Sequence, residues 1–166
     1  ITTLKELRQA KMLLTDVMED LEESNIDFDR DIKVGIMAEV PATALMLERF
    51  LDEVDFVSIG TNDLIQYTTA VDRINDRVAD LYQPMHPAVI SMIRETVEAA
   101  HRNNIWCGVC GEAASDLVMT PVWVGLGVDE LSVGSVQLLK TRKAISLLST
   151  EECTALMETL RTAGTE

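Results

Sequence analysis

Two hydrophobic rhythms take turns along the chain. Leu4, Leu7, Leu14, Val17, Met18 and Leu21 recur at spacings of three and four, which predicts an amphipathic helix. Thr3-Leu4-Lys5-Glu6 reads as a capping box at its start, and the acidic stretch "EESNIDFDRD" ends it near Ser24. Lys33 to Val40 is an apolar run of strand length. Pro41 then stands where a helix tolerates proline, and "ATALMLERFLDEV" has helical spacing. The alternation repeats with strand "DFVSIG" and short helix "NDLIQYTTAV", from which "DRINDRVADLYQPMHP" leads into the helix "AVISMIRETVEAAHRNN". Strand "IWCGVCG" precedes a helical stretch near Leu117–Gly125, and strand "DELSVGS" precedes the helix "VQLLKTRKAISLL". Ser149 and Glu152 form a second capping box opening a last helix.

The strands are apolar runs rather than clean alternations, which predicts burial on both faces. Helices separate them, so the sheet is expected to be parallel with right-handed crossovers: one helix followed by four βα units. Every strand ends in small or polar residues: Glu39; Gly60-Thr61-Asn62-Asp63; Cys110-Gly111-Glu112; Ser132 to Ser135. Ligand sites of parallel α/β proteins form at those carboxyl ends, in open sheets and barrels alike.

Composition narrows the function. With 166 residues and 47% hydrophobic content, the chain is long enough for the core of one domain, residues 1–166. A net charge of −14 repels phosphate backbones and argues against nucleic-acid binding; an anionic substrate needs a local cation or arginine. No apolar run reaches the ~20 residues of a membrane helix, and "ITTLKELRQAK" has no basic segment followed by an apolar one. Cys107, Cys110 and Cys153 are a sparse, odd set, suited to a cytoplasmic location rather than a disulfide scaffold. The chain starts at Ile rather than Met, which points to a processed chain or an excised piece.

The strand ends supply the candidate chemistry. Glu39 and Asp63 suit a hard divalent cation such as Mg²⁺, which takes one or two carboxylates plus water and substrate oxygens. Equally, they suit carboxylates stabilising helix N-termini. Gly60 admits a close ligand approach, with Asn62 and Asp63 facing it. Cys107-Gly-Val-Cys110 matches C-x-x-C, but residues three apart on a strand point to opposite faces, which argues against zinc or redox use. Cys107 is expected to be packing. Cys110 is an inert thiol or an acid able to donate a proton near neutrality. Arg73 is a surface charge or the clamp on an anion. His86 reads as a cap, His101 as exposed, and the methionines as core.

Four of these stretches, "GIMAEVPATALM", "VDFVSIGTNDLIQYTTAVDRINDRVADLYQPMHPAV", "GVCGEAASD" and "GLGVDELSVG", resemble the phosphoenolpyruvate-binding domain of the enzyme I family of bacterial sugar phosphotransferase systems. The likeness is dense from Lys33 to Ile145. Related dikinases and synthases share the Glu, Thr-Asn-Asp and Cys-Gly-Glu elements, but the uninterrupted "TTAVDRINDRVADLYQPMHP" is similar to enzyme I rather than to them. The resemblance implies a TIM-barrel fold, of which this chain supplies the last four strands. It implies that Glu39 and Asp63 hold Mg²⁺, that Asn62, Asp63 and Arg73 bind phosphoenolpyruvate, and that Cys110 protonates the substrate's enolate. It further implies phosphoryl transfer to a protein histidine and on to HPr, within a homodimer.

This chain departs from the family's pattern at Ala113-Ala114-Ser115, where a larger apolar residue, Ala and Gly are usual, and at Val133, where Met is usual. Neither removes a proposed functional group. No stretch matches the phosphate-accepting histidine motif of the family's N-terminal domain, so the chain alone is expected to be inactive. Four strands cannot close an eight-strand barrel, and bare edges invite pairing, so completion by a partner or by self-association is expected. Two other readings remain: a dikinase or synthase fragment, and a non-catalytic half barrel that serves dimerisation or ligand sensing.

Overall fold

A computed structural model describes residues 1–162. Helix α1 (Leu4–Glu23) starts at Thr3, whose hydroxyl accepts the Glu6 N–H at 3.2 Å. Only that half of the expected capping box forms. The Glu6 carboxylate reaches past Thr3 to the N–H and hydroxyl of Thr2, at 2.7 and 2.9 Å.

Four strands follow: β1 (Gly35–Ala38), β2 (Phe56–Gly60), β3 (Trp106–Cys110) and β4 (Glu130–Leu131). They form one parallel sheet whose spatial order is their chain order. A doubly wound sheet would reverse direction at a switch point; this one runs one way, as an arc of a (β/α) barrel does. The intervening helices are α2 (Pro41–Leu45), α3 (Thr61–Thr69), α4 (Pro87–Arg102), α5 (Thr120–Leu126), α6 (Ser135–Ile145) and α7 (Thr150–Thr162). The single helix expected after Pro41 is instead α2 followed by 3₁₀ turns at Leu47–Arg49 and Leu51–Glu53. Leu47, Phe50 and Leu51 are all buried there, and the three-residue period of a 3₁₀ turn stacks Leu47 over Phe50.

Burial on both sheet faces is expected from the sequence, but among the described residues the helices cover only one. Ile36, Ala38, Val57, Ile59, Cys107 and Val109 point to the helices and are at most 4% exposed. The other face carries the in-register row Met37, Ser58, Gly108 and Glu130, with Met37 40% exposed. The pleat sends alternate residues to opposite faces, and the described helices cover only one. Phe56 and Trp106 shield each other on the bare face by stacking at 4.9 Å with planes 8° apart. The methionines are likewise not all core. Met119 and Met157 are buried, whereas Met12, Met37, Met46 and Met85 are exposed.

Candidate functional site

The carboxyl ends of β1, β2 and β3 converge on one patch of the bare face. Gly60 and Cys110 are the last register pair between β2 and β3. Both belong to the alternation that includes Ser58 and Gly108, so both face away from the helices. Glu39 follows Ala38 directly and continues the same alternation on the neighbouring strand. A Cβ placed on Gly60 would stand 2.8 Å from the Glu39 Cβ and 3.1 Å from its Oε2. The Glu39 side chain therefore lies across Gly60, where only a glycine leaves room.

Helix α3 begins the moment β2 ends, so Thr61, Asn62 and Asp63 occupy its first turn. The buried Thr61 donates its hydroxyl to the Cys110 carbonyl at 2.7 Å. The Asn62 side-chain oxygen accepts the Glu112 N–H at 2.9 Å. Because an N–H only donates, this contact fixes the Asn62 amide and directs its NH₂ away from Glu112. Gly111 makes the approach feasible. Its φ is +92°, and a Cβ there would collide with Thr61 Oγ1 and come within 2.9 Å of Asn62 Oδ1. Trp123 supports the turn from below, its buried indole N–H donating to the Ala113 carbonyl at 3.0 Å.

Arg73 arrives from the loop between α3 and α4. Its guanidinium stands 4.0 Å from the Glu112 carboxylate, whose side chain is 83% exposed. A pair so long and so wet holds the arginine loosely and leaves it able to turn to an anion. Tyr82, from the same loop, donates its hydroxyl to the Asn62 carbonyl at 3.3 Å. Burial raises the Tyr82 phenol above its ordinary range; Glu112 and Asp63 add to this and Arg73 opposes it. The phenol thus sits within the electrostatic reach of all three.

Of the residues singled out from the sequence, Glu39 and Cys110 share a face at strand ends two strands apart, with Gly60 between them and Asn62 and Asp63 immediately beyond it. Arg73 reaches the patch through Glu112. As expected, Cys107 and Cys110 lie on opposite faces, Cys107 in the core and Cys110 half-buried. His86 caps α4, its Nδ1 accepting the Ala88 N–H at 3.2 Å. His101 is exposed, with Nε2 2.8 Å from Asp129 Oδ2. Among the described residues, no three His, Cys, Asp or Glu gather into a closed metal cage. Tyr82 escaped the sequence reading because one tyrosine in a loop has neither period nor spacing to mark it.

Such a strand-end site on a one-way βα arc defines a class. The model of the family described as PEP-utilising enzyme, PEP-binding domain, matches residues 1–150, and the chain belongs to that family. Within it, the chain is 46% identical over 159 residues to the phosphoenolpyruvate-protein phosphotransferase of Latilactobacillus sakei, covering 96% of this chain and 28% of that protein. It is also 46% identical over 165 residues to the enzyme of the same name from Geobacillus stearothermophilus, covering 99% and 28%. The protein of that name from Staphylococcus aureus gives 46% over 156 residues, covering 94% and 27%. The chain therefore spans little more than a quarter of these relatives.

Proposed function

We propose that this chain is the metal- and substrate-binding part of a phosphoenolpyruvate-protein phosphotransferase of a bacterial sugar phosphotransferase system. The whole enzyme would move a phosphoryl group from phosphoenolpyruvate to its own histidine and on to HPr. One observation carries the reading: Glu39, Gly60 and Cys110 share one face at neighbouring strand ends, with Asn62 fixed beside them by Glu112. The names of the relatives favour this enzyme over a dikinase or synthase.

The donor set fits Mg²⁺. Glu39 at the end of β1 and Asp63 in the first turn of α3 are both half-buried carboxylates, a partial set of the kind that Mg²⁺ would complete with water and substrate oxygens. Glu39 and Asp63 would hold it. When bound, the ion supplies charge neutralisation to a site whose own carboxylates would otherwise repel a phosphate. The site needs that supply, because Glu39, Asp63 and Glu112 outnumber Arg73.

The chain's own groups then have distinct tasks. Asn62 offers its NH₂ to a phosphate oxygen, and Arg73 offers a guanidinium that pairs with the anion in fork geometry. When the bridging C–O oxygen gives up the phosphoryl group, the departing enolate must gain a proton on its methylene carbon, or the reaction reverses. Cys110 delivers it: the S–H bond breaks, a C–H bond forms, pyruvate results, and the thiolate recovers a proton from water. The reading carries with it a cytoplasmic homodimer. The uncovered sheet face and the two strand edges support completion by further chain.

The test places this chain in the Geobacillus stearothermophilus relative in exchange for the matching segment, and follows phosphorylation of protein by phosphoenolpyruvate. Cys110→Ala is expected to cut turnover about 100-fold or more while phosphoenolpyruvate affinity stays within about twofold. Unchanged turnover removes Cys110 from the chemistry. A folded chimera that takes no phosphoryl group rejects the reading as a whole.

A further inference from the structure

Residues 70–86 join α3 to α4 and carry Arg73. A connection of this length is uncommon in a compact domain unless it works at a site. Its main-chain hydrogen bonds from Asn75–Asp72 through Tyr82–Ala79 stay inside the loop, and Ile74 is 84% exposed. Beside the loose Arg73–Glu112 pair, two side-chain hydrogen bonds among the described residues tie it to the body. At the near end, Gln66 of α3 accepts the Arg73 N–H on Oε1 at 3.2 Å. At the far end, Tyr82 packs against the core and bonds the Asn62 carbonyl.

We infer that Tyr82 is a positioning residue, a clasp that pins the Arg73 loop onto the Asn62 turn. Asn62 is then held twice, by Glu112 on its side chain and by Tyr82 on its main chain, and both holds bear on the groups that would meet substrate. The clasp itself is a property of the free chain. Its effect on affinity rests on the phosphoenolpyruvate reading above.

The clasp predicts that Tyr82→Phe, which removes one oxygen and keeps the ring in place, speeds amide exchange of residues 72–81 about threefold to tenfold without ligand. Gln66→Ala, which frees the other end, should loosen the same segment. In the chimeric full-length enzyme, Tyr82→Phe should raise KM for phosphoenolpyruvate about threefold to tenfold with kcat within about twofold, a split that general destabilisation would not produce. Unchanged exchange and unchanged KM overturn the inference. A raised KM with an unaltered loop would also overturn it, by assigning the hydroxyl to the substrate. A loosened loop in a protein that never responds to phosphoenolpyruvate would uphold the clasp and remove the substrate reading beneath it.

Discussion

The Glu39 carboxylate rests on Gly60: its Oε2 lies 3.1 Å from the point where a Cβ on Gly60 would stand. Two neighbouring strands thus place an acid of one over the bare backbone of the other. Gly60→Ala must push Glu39 aside, since the clash at 2.8 Å is with the Glu39 Cβ rather than a flexible tip. The expected cost is about 1–3 kcal/mol of stability, read by urea unfolding. Divalent affinity, measured with Mn²⁺ by calorimetry, should fall about tenfold or more. Wild-type Mn²⁺ affinity in a folded Gly60→Ala protein would mean that Glu39 is no ligand and only serves the end of its strand.

Asn62 separates architecture from binding in a single atom. In Asn62→Asp a carboxylate oxygen still accepts the Glu112 N–H, so stability should move by less than about 1 kcal/mol. The NH₂ donor is replaced by an acceptor, and a charge is added near Asp63 and Glu112. Phosphoenolpyruvate affinity in the presence of Mg²⁺ should then fall about tenfold to a hundredfold. Equal affinity in the two proteins would show that the side chain ties β2 to β3 and touches no anion.

The fold was legible because its signals are local. The period of α1, the prolines opening α2 and α4, and four apolar runs each ending in polar residues need no tertiary information. What the sequence concealed were contacts made across distance. Uninterrupted apolar runs suggest two covered faces, yet Met37 and Trp106 are as apolar as Ile36 and Cys107 while lying on the bare side. Pattern alone does not say which layer a strand lacks. The capping box at Thr3 misled by one residue, because Thr2 offered Glu6 both an N–H and a hydroxyl. In the candidate site, the places of Glu39, Asn62, Asp63 and Cys110 at or just beyond strand ends were readable, while the roles given to them belong to the proposal. Tyr82 was not, since its bond to Asn62 spans 20 residues and depends on how the loop folds back.

Cys107 offers a test of the sheet beneath the site. Burial, helped by the Asp129 carboxylate, pushes its thiol up to about 12 from an ordinary value near 9. Between those values the unfolded chain gives up the proton and the native chain keeps it, so unfolding releases a proton. The thiol's contribution is complete below about pH 9 and is lost as pH rises toward 12, at up to ~1.4 kcal/mol per pH unit. Cys107→Ala leaves its main-chain N–H free to donate to Asp129, as it does at 2.7 Å in the native protein. The substitution should therefore flatten the alkaline limb of stability, read as the difference between the two proteins so that lysine and tyrosine titrations cancel. In the folded protein at pH 8, iodoacetamide should spare Cys107. Rapid labelling there, or identical alkaline limbs, would mean that the helix-facing side of β3 opens to water and that the strand framing Cys110 is not held as the packing of Val57 and Val109 requires.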